Sequence, residues 1–316
     1  MTSLWPDLPY PAWRETCDAL HLYTQIVGKY RLARTPWVNH SWHATFYICG
    51  RGLTTSVVPD KSGGIEIVFD LLDHAVIGMA TDGRTARIRL EPMSAAEFHA
   101  RFLDMLRGLS GTPKLHGVPN EMPDPVPFAK DHTPRPYDAE AVTRFFRALV
   151  SIHRVFQKFR TACLGKVSPV HLFWGSFDLA LTRFSGRRAP LHPGGIPGLP
   201  DVVTREAYSH EVSSAGFWPG GGAVDYPAFY SYAYPAPPGF SEAQVHPRAA
   251  TFNSTLGEFI LPYDAVRTSN DPDTILMSFL QSTYDAAAKL AAWDCPALEC
   301  AMGQPLRPRP LQYKND

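Results

Sequence analysis

The predicted helices and strands of this chain follow the same order twice, and this apparent repeat limits the folds that the chain can adopt. Residues 11–31 have the apolar periodicity of a helix, and strand-like segments follow between residues 42 and 91. A second helix is predicted over residues 94–109, where Ser94 and Glu97 form a capping box. The first half is therefore predicted to be a helix, a set of four strands and a second helix.

The second half has a similar predicted order. A helix spans roughly residues 138–162, strands follow between residues 169 and 261, and a final helix runs from about 272 to 292. Asp271 and Pro272 supply the N-cap and the first-turn proline of that helix. We expect an α+β fold in which two similar α-β(4)-α halves, each with an antiparallel sheet, pack about a pseudo-twofold axis.

Matching residues support an internal duplication. The first helix of each half contains a His-x-x-x-Gln motif, and aligning the halves places His43 on His171. Coincidence is the alternative, because twelve histidines offer many chances of such a match. If the duplication is real, a shared site at the seam between the halves is expected. The two motifs are His21 with Gln25 and His153 with Gln157.

Proline-rich stretches suggest where the halves are joined. The chain has 30 prolines, about twice the usual share of roughly 5%. We expect an N-terminal α+β half at 1–118, a proline-rich connector at 119–137, a C-terminal α+β half at 138–295 and a flexible tail at 296–316.

Composition excludes several classes of protein. The 30 basic and 30 acidic residues balance, and no basic block is present, so we expect no nucleic-acid partner. No apolar run is long enough to span a bilayer, and the N-terminus lacks the blocks of a signal peptide, so no membrane association is expected. Five scattered cysteines fit reduced thiols, and we expect a cytoplasmic protein. Its oligomeric state is open.

The stretch from residue 165 to residue 220 holds the most unusual chemistry. Ionisable groups interrupt strand-like apolar runs there, and such groups are costly to bury unless they are paired or bind a metal or ligand. A continuous strand over 169–184 would place His171 and Arg183 on one face and Asp178 on the other. The interrupting residues are His171, Asp178, Arg183, Glu206, His210 and Glu211.

The segment AYSHEVSSAGFWPGGG indicates a pocket. His210 is a candidate metal ligand or base, Glu211 is the accompanying carboxylate, and the residues after Gly216 suggest an aromatic flap. The glycine-rich run matches neither a phosphate-binding loop nor a hydrolase elbow. The candidate substrate-binding residues are Trp174, Phe217, Trp218 and Arg183.

Convergence of several histidines would favour a transition metal. Neutral imidazoles with one carboxylate suit iron, zinc or copper, and an open position would make such a centre catalytic. For each histidine the alternative is an ordinary helical or core imidazole bonded to a backbone carbonyl. The candidate ligands are His21, His43, His153, His171 and His210, and the candidate catalytic residues are His171, His210 and Glu211.

Several strings of the chain resemble a bacterial family known as a domain of unknown function. They include WPDLPYPAW, RGLTTS, GKVSPVHLFWGSFDLALTRFSG and SHEVSSAGFWPGG. The resemblance runs from about residue 5 to 295 and implies no activity, cofactor or catalytic residue.

These observations lead to one functional hypothesis and two alternatives. We expect a cytosolic enzyme with a histidine-rich, transition-metal-binding pocket that acts on a small, partly aromatic or apolar molecule. The alternatives are a non-enzymatic protein that binds a small molecule and a structural pseudo-dimer with buried polar networks. Stoichiometric iron, zinc or copper in the purified protein, lost on His171→Ala or His210→Ala, would support the enzyme. A ligand that is retained through purification but never turned over would favour the binding protein.

Overall fold

A computed structural model describes residues 4–61, 63–122, 124–222 and 224–309 of the chain. Its first half contains one long helix, a meander of strands and a second helix. These elements are α1 (Tyr10–Arg34), β1 (Tyr47–Cys49), β2 (Gly52–Asp60), β3 (Gly63–Asp70), β4 (Ala75–Ala80), β5 (Thr85–Arg89) and α2 (Ala95–Gly108).

The second half also begins and closes with long helices, with shorter helices inserted between and after them. Its elements are α3 (Ala139–Arg160), β6 (His171–Phe173), β7 (Asp178–Arg188), α4 (Asp201–Ala207), β8 (His210–Trp218), β9 (Ala228–Tyr234), β10 (Thr251–Asn253), β11 (Glu258–Pro262), α5 (Tyr263–Arg267), α6 (Pro272–Leu290) and α7 (Cys295–Leu298).

Both sheets are antiparallel, and they confirm the predicted α+β fold of two similar halves. The first sheet has the order β1-β2-β3-β4-β5, and the second has the order β10-β11-β9-β8-β7-β6. They therefore have five and six strands rather than the four expected in each half. None of the described helices combines the length and the apolar character needed to cross a membrane.

The two sheets meet at one reciprocal pair of residues, Phe46 and Leu172. The Phe46 N–H donates to the Leu172 carbonyl at 2.9 Å, and the Leu172 N–H donates to the Phe46 carbonyl at 2.8 Å. Such a reciprocal pair has local twofold symmetry, and it joins the two sheets edge to edge. The alignment of His43 with His171 stays a prediction from the sequence.

Side-chain caps begin several of the helices where the sequence predicts them. Ser94 Oγ accepts from the Glu97 N–H at 3.1 Å, and Asp271 Oδ1 accepts from the Thr274 N–H at 3.1 Å. These bonds satisfy N–H groups that have no partner within the helix. The predicted caps at Ser94 and Asp271 are confirmed.

The segment 169–184 is a hairpin rather than one continuous strand. Phe173 pairs with Asp178, and the four residues between them form the turn, in which Phe177 has a left-handed backbone with φ 57°. Side chains of directly opposed residues lie on the same face of a sheet. His171 therefore shares a face with its partner Ala180 and with Asp178, which corrects the predicted alternation.

The second sheet has two different faces. Leu179, Phe217, Phe229 and Leu261 are opposed across neighbouring strands and lie in the main core, against the side of the sheet that α3 and α6 contact. Alternation along each strand directs their neighbours to the other face. That other face carries hydroxyl, carboxyl and aromatic groups around a small apolar cluster that includes Tyr230.

The final described residues contact the end of α3. The Cys300 N–H donates to the Ala162 carbonyl at 3.1 Å, and the Gly303 N–H donates to Thr161 Oγ1 at 2.9 Å. These contacts involve the first part of the predicted tail at 296–316. The last residues of that tail, 310–316, lie outside the described ranges.

Candidate functional site

A buried carboxylate, Asp178, lies at the start of β7 and accepts hydrogen bonds on both oxygens. Ser176 Oγ donates to Oδ1 at 2.5 Å, and the Tyr230 hydroxyl donates to Oδ2. Burial raises the pKa of Asp178, and the two hydrogen bonds oppose that increase. Asp178 is therefore a desolvated acid whose ionised form is supported by two hydroxyl groups.

Gly216 in β8 allows Tyr230 to reach Asp178. Gly216 pairs with Tyr230 on one side and with Ala180 of β7 on the other. A Cβ atom on Gly216 would lie 2.3 Å from both the Cζ atom and the hydroxyl oxygen of Tyr230. Non-bonded atoms do not approach so closely. The missing side chain therefore lets the Tyr230 ring cross β8 towards β7.

Two further carboxyl groups, Glu121 and Glu258, interact electrostatically with Asp178. Burial raises the pKa of Glu258 to about 8, and the charge of Asp178 contributes to this increase. Burial also raises the pKa of Glu121 to about 7, again with a contribution from Asp178 and with an opposing effect of Lys29. Near neutral pH these glutamates therefore retain protons that an exposed glutamate would have lost.

Aromatic rings line the same face of the sheet. The rings of Trp218 and Tyr230 have centroids 4.3 Å apart, and Tyr230 stacks on Tyr232 at 6.0 Å. The hydroxyl groups of Tyr208 and Tyr232 lie 2.9 Å apart. Trp218, Tyr208 and Tyr232 are partly exposed, whereas Tyr230 is buried. The rings thus form a wall that solvent reaches at one rim.

These side chains form one group, which we call the tyrosine–carboxylate cluster. Its members are drawn from the connector between the halves, from β7, β9 and β11, and from the residue after α4. The cluster consists of Glu121, Asp178, Tyr208, Tyr230, Tyr232 and Glu258.

The connector is fixed to α1 where it brings Glu121 to the cluster. Gln25 Oε1 accepts from the Asn120 N–H at 2.8 Å, and Gln25 Nε2 donates to the Asn120 carbonyl at 2.9 Å. Lys29 Nζ donates to Asn120 Oδ1 at 2.7 Å. Glu121 then lies against Gly175, where an added Cβ would be 2.0 Å from Glu121 Oε1. Gly175 therefore marks a close approach by another part of the chain.

The acidic groups of the cluster form no ion pair with a described residue, although the charge of Lys29 acts on Glu121. Within the described ranges, none of the ion pairs involves Glu121, Asp178 or Glu258. Glu258 Oε2 is buried and has no hydrogen-bond partner among the described residues. A buried carboxylate oxygen without a donor is unfavourable unless it is protonated or meets a ligand. This arrangement can accept a positively charged group.

The histidines of the two helical motifs lie beside their glutamines, as the spacing predicts. His21 Nε2 lies 2.8 Å from the Gly175 carbonyl and 3.1 Å from Gln25 Nε2. In the second motif the Gln157 amide nitrogen lies 3.1 Å from His153 Nε2. Burial lowers the pKa of both imidazoles. His21 therefore fixes the turn of the β6–β7 hairpin onto α1.

The other three predicted ligand histidines lie at separate places. His171 is fully buried, and its Nδ1 lies 3.1 Å from Thr45 Oγ1. His43 Nδ1 lies 3.2 Å from the backbone nitrogen of Val38, and His210 Nδ1 lies 3.1 Å from Ser209 Oγ. Burial lowers the pKa of His171 to about 3, so this imidazole is neutral at physiological pH.

The described histidines do not fit a common metal centre. The five predicted ligands lie on different elements. Each has a ring nitrogen within hydrogen-bond distance of a backbone group or of a neighbouring side chain. Across the described ranges no group of three or more His, Cys, Asp or Glu side chains could hold a metal ion. Binding of iron, zinc or copper stays a prediction from the sequence, and no step below depends on it.

The predicted carboxylate and arginine have structural partners. Glu211 Oε2 accepts from Arg187 Nη2 at 2.7 Å and from Ser185 Oγ at 2.8 Å, on the wall of a groove of about 310 Å³. Arg183 is buried between the rings of Phe159 and Tyr284, whose centroids lie 3.6 Å and 4.3 Å from its guanidinium carbon. Both residues thus stabilise the fold around the sheet.

The three predicted aromatic pocket residues, Trp174, Phe217 and Trp218, do not lie together. Trp174 is in the turn of the β6–β7 hairpin, and Phe217 and Trp218 point to opposite faces of the sheet. Phe217 lies in the main core rather than in a flap, with its ring centroid 5.3 Å from that of Phe229. Trp174 is buried in the β6–β7 turn, where its Nε1 donates to the Ala44 carbonyl at 2.6 Å. Trp218 lies beside the tyrosine–carboxylate cluster.

Sequence reasoning missed most of this cluster. In β9 the tyrosines at 230, 232 and 234 alternate with small residues, a pattern that places three phenols on one face. This signal was available from the sequence. Glu121 gave no such signal, because it lies in a proline-rich connector whose path over the sheet is set by contacts with α1.

The fold and the site define an α+β protein of two half-sheets with a desolvated tyrosine–carboxylate cluster on one sheet face. A family model described as a family of unknown function (DUF5996) matches residues 5–300. The chain therefore belongs to this family. Comparisons with curated proteins and with solved structures found no match.

Proposed function

We propose that the protein binds a small organic cation at the Asp178–Glu258 end of the tyrosine–carboxylate cluster. The proposal rests on two desolvated acids, Asp178 and Glu258, that have no ion-pair partner within the described residues. A protonated amine would supply the missing positive charge and the missing donor for Glu258 Oε2.

The aromatic wall supports a ligand with an apolar or aromatic body. The faces of Trp and Tyr rings attract cations, and the attraction increases when the cation is desolvated. Tyr232, whose pKa is raised in part by the charge of Glu258, and Trp218, which lies against Tyr230, are both partly exposed. They can therefore contact a ligand that enters from the rim. Tyr230 lies behind them and orients Asp178. The ligand class is therefore an amine on a small apolar or aromatic frame.

Lys29 supports the choice of the Asp178–Glu258 end. Its positive charge acts on Glu121, and burial lowers the pKa of Lys29 itself to about 8. Among the described residues, no positive charge of this kind lowers the pKa of Glu258. A ligand cation would thus meet less repulsion near Glu258 than near Glu121. We further propose a cytoplasmic location, in keeping with five cysteines that are all free thiols.

Ligand-detected NMR with matched probes tests this proposal. Phenethylamine, tyramine and tetramethylammonium are the cations, and 2-phenylethanol is the neutral counterpart of phenethylamine. At about pH 8.5 the carboxyl groups of the cluster are more fully ionised than at neutral pH, and the amines of the probes keep their charge. We expect saturation transfer to at least one cation and a much weaker signal for the alcohol.

Two substitutions make this experiment specific. Glu258→Gln removes the charge at the site and should abolish the signal, whereas Glu242→Gln makes the same change at an exposed position and should leave it unchanged. Equal signals from phenethylamine and 2-phenylethanol would contradict the proposal. So would an unchanged cation signal in Glu258→Gln, or no signal from any of the cations.

A further inference from the structure

Lys166 and His40, which are not members of the tyrosine–carboxylate cluster, form a close contact with each other. Lys166 Nζ lies 2.6 Å from His40 Nε2, and His40 Nδ1 lies 2.7 Å from the Ala207 carbonyl. A carbonyl oxygen only accepts hydrogen bonds, so Nδ1 carries the proton and donates it. The lone pair of His40 Nε2 therefore faces the amine of Lys166.

The backbone around His40 is held in an unusual conformation. His40 and Ser41 both lie in the left-handed region, with φ 61° and φ 58°. The carboxylate of Glu206 accepts from the His40 N–H, at 2.9 Å to Oε2 and 3.1 Å to Oε1. Two consecutive left-handed residues without glycine carry a conformational cost, and such cost is concentrated at functional sites. The contacts of Glu206 and Ala207 maintain this arrangement.

Lys166 is an exposed residue, and its amine is flanked by aromatic rings. Its Nζ lies 5.2 Å from the ring centroid of Trp42 and 5.0 Å from that of Phe184, while the residue as a whole is exposed. Partial burial lowers the pKa of Lys166, and the charge of Glu206 opposes this shift. The ring of His210, 6.0 Å from that of His40, is a further titratable neighbour.

We propose that Lys166 is a nucleophilic amine that forms an imine with a small aldehyde or ketone, and that His40 transfers the proton. A lysine amine becomes nucleophilic through an adjacent base or a lowered pKa, and the carbonyl carbon of the substrate must be able to reach it. His40 Nε2 supplies the base at hydrogen-bond distance, and the rings of Trp42 and Phe184 favour a carbonyl compound with an aromatic or apolar body. This inference is independent of cation binding at the cluster.

The proposed reaction needs no reactant other than the carbonyl compound. His40 Nε2 takes one proton from the Lys166 ammonium group, and the free amine attacks the carbonyl carbon. A C–N bond forms, and the carbonyl oxygen takes up a proton from the nitrogen to give a carbinolamine. The imidazolium then returns its proton to the hydroxyl group, which leaves as water while the C=N bond forms. The products are a protonated imine, one water molecule and neutral His40.

Benzaldehyde with cyanoborohydride tests the proposal in the full-length protein, because reduction converts an imine into a stable secondary amine. Peptide mass mapping then gives the relative labelling rate of each lysine. We expect Lys166 to be labelled at least about tenfold faster than Lys158, which is also exposed but contacts no imidazole among the described residues. Comparable rates at Lys166 and Lys158 in the wild-type protein would overturn the proposal without the need for any variant.

A substitution at His40 then separates activation from simple exposure. Asparagine tolerates the left-handed region, so His40→Asn removes the imidazole while it keeps the backbone preference. In a folded variant, as judged by circular dichroism, the ratio of the Lys166 rate to the Lys158 rate should fall towards one. An unchanged ratio would show that His40 does not take part and would contradict the proposed step.

Discussion

The hydroxyl group of Tyr230 in β9 donates a hydrogen bond to Asp178 in β7, and the ring between them crosses the intervening strand at Gly216. This bond links two strands that are not neighbours. It also brings a phenol to an acid whose pKa is raised by burial. The bond thus couples the packing of the sheet to the electrostatics of the tyrosine–carboxylate cluster.

We predict that Gly216→Ala destabilises the protein by about 1–3 kcal/mol, the usual cost of forcing extra atoms into a packed site. The new Cβ would meet the Tyr230 ring at 2.3 Å and displace it from Asp178. The free energy of unfolding in urea measures this effect. Gly108→Ala is the matched control, because an added Cβ there would meet no atom of another described element within 4 Å. Equal stabilities of the two variants would contradict the account of Gly216.

Glu258 should make the folded state less stable as the pH rises. Its pKa is about 8 in the folded protein and 4.5 as a reference for the unfolded chain, so between these values the folded state binds more protons. Stability is then lost progressively from about pH 4.5 to about pH 8. The wild-type protein should lose on the order of 2 kcal/mol in the free energy of unfolding over this pH range, after allowance for solvent at the rim. We expect Glu258→Gln to abolish this loss. Parallel pH profiles of the free energy of unfolding for wild type and variant would contradict the shift.

His171 should have the opposite effect on the acid side. Its folded pKa of about 3 lies below the ordinary value of 6.5, so the unfolded chain binds more protons between them and stability falls as the pH decreases. Relative to His171→Phe, the wild-type protein should lose about 2 kcal/mol of stability between pH 7 and pH 5. Urea unfolding at both pH values measures this difference. If wild type and His171→Phe differed in stability by the same amount at pH 7 and pH 5, His171 would take up its proton as readily in the folded state as in the unfolded chain.

Arg183 should affect stability and leave the binding of a cation intact. Its Nη2 donates to the Phe159 carbonyl at 2.5 Å, and its plane lies between two aromatic rings on the core side of the sheet. Lysine keeps the charge but lacks this planar contact. We expect Arg183→Lys to cost about 2–4 kcal/mol in the free energy of unfolding. An unchanged stability with lost cation binding would instead support a role for Arg183 in the ligand site.

Much of the fold could be predicted from the sequence because local patterns determine it. Apolar periodicity and caps such as Ser94 define the long helices, and the helix-strand-helix order in each half gives the α+β fold. The hairpin at 174–177 could not be predicted from alternation alone. Its four-residue turn changes which face His171 occupies, and a bond from His21 to the Gly175 carbonyl holds it.

Less of the candidate site could be predicted, because its members become neighbours only through tertiary contacts. The sequence indicates Asp178 as an ionisable group within an apolar strand and Trp218 as an aromatic pocket residue, but Glu121 and Glu258 lie 137 positions apart in the chain. The path of the connector depends on the contact of Gln25 with Asn120. Histidine-rich motifs were the stronger signal in the sequence, yet several of these imidazoles bond to backbone groups.

Calorimetric titration of phenethylamine in buffers with different ionisation enthalpies tests the central claim most directly. Because the pKa of Glu258 is about 8 and that of Glu121 is about 7, a bound cation should drive ionisation of these groups near neutral pH. We predict that binding to the wild-type protein releases protons and that Glu258→Gln both weakens binding and reduces this release. Binding of phenethylamine without proton release, and with unchanged affinity in Glu258→Gln, would contradict the claim.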